Sequence, residues 1–257
     1  MWKTRKLKIL IFYLLLLYYN QIMRNYFIRA KEFILDTLFP KFCLNCGREG
    51  AYLCQDCFYL IDILKVQYCP FCFRPKPVFD GKTCILCRDK KALSGLFCAS
   101  SYEDRIIKKI MSQFKREPYL KELRGPLAEL IIAHFLNLEI DLVSFFNENT
   151  ILIPVPIDIR KMRLQGFSQS EEIAKRLSVF LNIPVYSNVL IKIKNTDIRE
   201  KNIEESFRCE NQRIIKDKRI LLIEDVFTMD LKMEESASVL KRSGAKEIWG
   251  VAVCRGL

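Results

Sequence analysis

The chain has 257 residues, half of them hydrophobic and 28% charged, a balance that fits one or two folded domains and excludes a disordered or collagen-like chain. Lys and Arg outnumber Asp and Glu by 42 to 30, and the formal net charge of +12 favours anionic partners: phosphates, nucleic acid or an anionic membrane surface. Eleven cysteines are an odd count, so disulfides alone would leave one thiol over.

Residues 1–22 open with Lys3, Arg5, Lys6 and Lys8 and continue into an apolar run that is short for a bilayer span and lacks a small-residue cleavage site. Two readings stand for this leader: translated sequence ahead of a true start at Met23, or a basic helix that contacts a membrane surface. Residues 23–40 predict a short helix, with Phe27, Ile28, Ile34, Leu35 and Leu38 at helical spacing and Pro40 ending the pattern. Residues 41–90 hold eight of the cysteines, several prolines and no periodic run, the composition of a small loop-rich module.

From residue 91 onward the pattern changes. Amphipathic helices are predicted at 106–114, 123–138, 170–181 and 232–243, and apolar strands at 151–155, 185–191, 220–223 and 248–253. Strands that alternate with helices imply an α/β domain over 91–257, a parallel sheet with helices on both faces.

Cys43 and Cys46, Cys54 and Cys57, Cys69 and Cys72, and Cys84 and Cys87 are four consecutive CxxC pairs. CxxC is the short turn that brings two thiolates to one tetrahedral ion, so eight ligands make two structural zinc sites with no open position for water. Four tandem pairs suit a reducing, cytoplasmic compartment better than a disulfide framework. Sequential sharing, first pair with second and third with fourth, closes loops of seven and eleven residues and predicts a double zinc ribbon, while interleaved sharing is the alternative. Cys98, Cys209 and Cys254 lack a partner motif and read as buried apolar residues.

The predicted strand 220–223 runs directly into Glu224 and Asp225, and a short turn leads to the next helix. Ligands of open parallel sheets bind beyond the carboxyl ends of strands, where acidic side chains reach ribose hydroxyls and the helix N-terminus takes phosphate. Alone, such a pair reads more readily as a helix cap. With the sequence 151–156 (Ile-Leu-Ile-Pro-Val-Pro), the segment 160–169 containing Gly166, Phe167, Ser168 and Gln169, and the four CxxC pairs, it resembles the ComF family, competence-associated phosphoribosyltransferase-like proteins with an amino-terminal double zinc ribbon.

The resemblance implies a type I phosphoribosyltransferase-like domain that takes magnesium with phosphoribosyl pyrophosphate. It implies ribose binding by Glu224 and Asp225, a phosphate loop of Val226, Phe227, Thr228, Met229, Asp230, Leu231 and Lys232, and pyrophosphate contacts from Lys115, Arg160 and Arg163. It implies a setting in DNA uptake, with single-stranded DNA and DNA-uptake proteins as partners of a non-catalytic adaptor in the rival reading. Three departures predict weakened or lost transfer: Asp230 at a glycine position facing the phosphate, Gln165 where the family has arginine, and a shortened hood at 194–207 that keeps Arg199, Asn202 and Phe207. The lone His134 reads as a packed helix residue, and Phe71, Phe73 and Phe79 as filler between the metal sites or as base-stacking rings.

Overall fold

A computed structural model describes residues 37–72, 76–78, 81–138, 141–193, 206–228 and 232–256. The 1–22 leader, most of the predicted 23–40 helix, Phe73, Phe79, Arg199, Asn202, Met229, Asp230 and Leu231 lie outside the described residues. The chain divides into two compact units, Met1–Cys54 and Gln55–Leu257.

In the first unit an isolated antiparallel bridge joins Phe42 to Glu49. The amide of Gly47 returns to the Cys43 carbonyl at 2.8 Å, and Gly47 adopts a left-handed φ of 75°, which lets the chain reverse within one CxxC turn.

The second unit begins with α1 (Gln55–Tyr59), the antiparallel pair β1 (Gln67–Tyr68) and β2 (Pro77–Val78), and the single turn α2 (Ile85–Arg88). Its body follows as β3 (Gly95–Ser101), α3 (Arg105–Lys115), α4 (Arg124–Leu136), α5 (Leu142–Phe145), β4 (Thr150–Pro154), α6 (Ile159–Gln165) and α7 (Gln169–Leu181). It closes with β5 (Leu190–Lys192), β6 (Phe207–Cys209), α8 (Gln212–Ile215), β7 (Arg219–Phe227), α9 (Lys232–Arg242) and β8 (Glu247–Arg255).

Four strands form one parallel sheet in the order β3-β8-β7-β4. β7 and β8 occupy its centre and are buried along nearly their whole length, which is why they read as unbroken apolar runs rather than alternating ones. Successive side chains serve opposite faces. Leu96, Ile153, Leu222 and Ala252 join Met233, Ala237 and Leu240 of α9, while Phe97 and Trp249 turn to the other face, where Phe97 meets Phe135 of α4.

Phe97 stacks on Trp249 with ring centroids 4.9 Å apart, and Phe145 meets both edge-on. Glycine lets α9 approach the sheet closely: a Cβ on Gly250 would sit 2.6 Å from the Met233 sulfur and 2.7 Å from Leu96 Cδ1, and both side-chain ends would have to shift. The sheet and its two helical layers agree with the predicted α/β class.

The predicted strand 185–191 is corrected. Val185 makes only an isolated bridge to Leu152, and Ser187 and Asn188 turn the chain before Leu190–Lys192 pairs antiparallel with Phe207–Cys209 in a separate ribbon. The turn breaks the apolar run, and the ribbon's two strands satisfy each other's backbone groups outside the main sheet.

His134 lies fully buried in α4 beside Phe97 and Phe135. Desolvation, only partly offset by the Leu64 backbone, lowers its pKa from 6.5 to about 4. Between those values the unfolded chain binds a proton that the folded chain refuses. Stability from this site is therefore full above pH 6.5 and is lost as pH falls toward 4, by up to about 3 kcal/mol. Thermal melts of the parent and His134→Leu should show a smaller acid-side loss of Tm in the variant, and parallel curves would remove His134 from the acid response.

Candidate metal centres and cleft

The thiols gather in two groups, Cys43, Cys46, Cys54 and Cys57, and Cys69, Cys72, Cys84 and Cys87, with the sulfurs of each group within 4.8 Å of one another. This is the sequential sharing preferred from the loop lengths. Burial alone would push the Cys43 thiol up, but backbone N–H groups of Cys46, Cys54 and Asn45 hold it at about 6. In the second group the Cys69 and Cys72 thiols, with the amides of Cys87 and Leu86, hold Cys84 at about 6 against burial, while burial and the neighbouring Cys84 and Cys69 sulfurs push Cys72 up to about 12. Four thiols so close cannot all ionise without a cation among them. The donor set, all sulfur, four per group, with amides turned onto Cys43 and Cys84, fits structural zinc.

The body of the second unit carries a cleft of about 620 Å³ at the carboxyl end of the sheet, lined by Glu224 and Asp225 together with Lys115, Lys161, Lys192 and Lys232. Glu224 and Asp225 belong to strand β7 itself, not to the loop after it, and are only 6% exposed. Each has a lysine partner. Lys115 Nζ lies 3.1 Å from Asp225 Oδ2, and Lys232 Nζ donates to Glu224 Oε1. Burial by itself lowers the pKa of Lys115, yet the Asp225 and Glu224 charges outweigh it and raise the value, so the ammonium stays charged.

The segment Gly166 to Gln169 explains how Lys115 comes to face β7. Gly166 ends α6 in the left-handed conformation, with φ 75°. Phe167 packs against Phe114 at 5.8 Å between ring centroids, and the Ser168 side chain caps α7. The Gln169 amide then donates to the Phe114 carbonyl at 3.2 Å, which fixes the last turn of α3 where Lys115 stands.

Of the phosphate-loop residues, Val226 and Thr228 line the cleft, whereas Phe227 is buried toward α9. Met229, Asp230 and Leu231 lie outside the described residues. Arg160 and Arg163 sit on α6 but are not among the lining residues, whose contributors from that helix are Lys161 and Gln165. Tyr102, Glu103, Lys192 and Gly256 also line the cleft and carry no local motif that sequence reading could use.

No protein-family model matches the chain. It is similar to Competence protein F of Haemophilus influenzae, 27% identical over 112 residues covering 39% of this chain and 49% of that protein. It is also similar to DNA utilization protein YhgH of Shigella flexneri and of Escherichia coli O157:H7, each 26% identical over 114 residues, 41% of this chain and 49% of theirs. The chain thus spans about half the length of the curated relatives it matches.

Elemental analysis of protein purified under reducing conditions should find two zinc ions per chain, and strong chelation should unfold the cysteine loops, since such sites couple metal binding to folding. Fewer than one zinc per chain, or disulfides across the pairs, would refute the paired sites.

Proposed function

With the chain assigned by these matches to the ComF family, we propose that it is a phosphoribosyltransferase-like protein of DNA uptake whose cleft binds phosphoribosyl pyrophosphate with magnesium. The observation that carries the reading is the buried acidic pair of β7, each carboxylate matched to a lysine, at the floor of a cleft on the carboxyl side of a parallel sheet. Glu224 and Asp225 accept hydrogen bonds from the ribose hydroxyls. Lys115 and Lys161 face the pyrophosphate and stabilise the charge that gathers on it as the bond from C1′ breaks, and the loop after β7 takes the 5′-phosphate.

Two carboxylates already paired with lysines leave little anionic charge for free metal. The donor set therefore fits a magnesium ion that arrives on the ligand's own oxygens, where it neutralises the pyrophosphate. Asp230, a carboxylate in the phosphate loop, weakens or abolishes transfer in this reading, so that binding outlasts catalysis.

A second reading, a single-stranded DNA adaptor, is favoured by the basic edge of the second cysteine module. Lys82, Arg88 and Lys90 are exposed there, and Lys91 lies 4.9 Å over the Phe71 ring.

Calorimetry should register binding of phosphoribosyl pyrophosphate with magnesium, and Lys115→Ala should weaken it by about tenfold, the loss of one charge-assisted contact. Absence of binding heat in the parent would end the ligand reading and leave the adaptor. For the adaptor, affinity for oligo-dT should fall with salt at a slope of about −0.7 per phosphate neutralised, and a flat salt response would dismiss it.

A further inference from the structure

The second cysteine module does more than sit beside the sheet: its backbone is fastened on both sides of the loop that follows β7. On one side, Glu234 in the first turn of α9 accepts from two consecutive amides, Ala92 at 2.8 Å and Leu93 at 3.2 Å, five residues beyond Cys87. On the other, the Arg255 guanidinium at the end of β8 donates to the carbonyls of Tyr68 at 3.3 Å and of the zinc ligand Cys69 at 3.4 Å. Arg255 also lies 5.6 Å over the Phe227 ring. Its neighbour Gly256 bonds the Phe227 carbonyl at 2.8 Å and lines the cleft with Thr228.

We infer that Glu234 and Arg255 are positioning residues that tie the end of β7, at Phe227 and Thr228, and the first turn of α9 onto the Cys69, Cys72, Cys84 and Cys87 group, so that metal in that group holds this rim of the cleft in place. The inference rests on reading the cleft as the phosphoribosyl pyrophosphate site. A carboxylate gripping two adjacent amides has little freedom to turn, and a guanidinium held by two carbonyls and a ring has little more. Both clamps start from main chain that the cysteine loops hold in place. Loosening the loops frees the partners of Glu234 and Arg255, and with them the end of β7 and the start of α9. By linkage, a ligand that holds this rim must also tighten the hold on metal.

Hydrogen exchange on the full chain tests the clamp without any ligand. In Cys87→Ser, which leaves the first cysteine group intact, amides of the residues flanking the loop, 227–228 and 232–237, should exchange about tenfold faster, the fold-change for losing one charge-assisted bond. Amides of β4 serve as the internal control and should not change. Faster exchange confined to the cysteine loops would overturn the proposal, and so would faster exchange across β4 as well.

The partner test uses Glu234→Gln and Arg255→Ala, each of which should keep two zinc ions and yet show the same exchange pattern, with Arg255→Lys restoring part of the protection. Zinc release to a chromogenic chelator, with and without phosphoribosyl pyrophosphate and magnesium, adds the second readout. Slower release in the parent, lost in Glu234→Gln, supports the clamp. Binding of the ligand without any effect on release counts against the coupling. If the ligand does not bind at all while the exchange pattern holds, the clamp stands and the ligand assignment falls.

Discussion

Everything near the cleft depends on one electrostatic constraint: two adjacent carboxylates at the end of a central, buried strand must be compensated by cations. Glu224 and Asp225 are neighbours on β7, and each is ion-paired with its own lysine. Lys232 answers one from the start of α9 and Lys115 the other from the end of α3. That arrangement places helix ends, not helix middles, around the cleft. It also explains why so much of the chain between α3 and α7 is devoted to aiming one side chain. The Phe114 and Phe167 contact, the Ser168 cap and the Gln169 hydrogen bond converge on the last turn of α3.

Much of this was legible in the sequence because the hydrophobic patterns are strong. Helices α3, α7 and α9 carry their apolar residues at helical spacing, and α4 and strands β4, β7 and β8 read as continuous apolar runs. The acidic pair and its two lysines fall within motifs, and the cysteine pairing followed from loop length. β3 escaped notice because Gly95, Cys98, Ala99, Ser100 and Ser101 are small and not β-branched, although the strand is almost wholly buried. α6 has no buried residue and hence no amphipathic face to detect. On so short a helix one position is a turn of about 100°, and that rotation separates Lys161, which lines the cleft, from Arg160, which does not. Lys192, Tyr102 and Gly256 come to the cleft only through the sheet order, which no local pattern encodes.

The two helical layers divide the labour. The α4 and α7 side combines aromatic stacking and a buried neutral imidazole with an ion pair between Arg124 of α4 and the buried Glu172 of α7. The α9 side uses aliphatic packing, with Gly250 letting Met233 approach the sheet, and puts its acidic residues at the helix start, where Glu234 and Glu235 face partners in other segments, and its basic ones, Lys241 and Arg242, at the end. Glu235 accepts the Ser206 amide just before β6, so the same helical turn that grips the cysteine module also grips the ribbon of β5 and β6.

β3 is an outer strand, and an outer strand normally presents a row of bare amides and carbonyls to any passing chain. Here that row is occupied. Gln67 reads both backbone groups of Cys98, Leu64 donates to the Ala99 carbonyl, and Lys82 bridges Gly95. All three come from the cysteine module or the segment leading into it. The cysteine loops thus act as a cover against aggregation: a chain that loses their fold exposes a ready pairing edge along with its metal ligands.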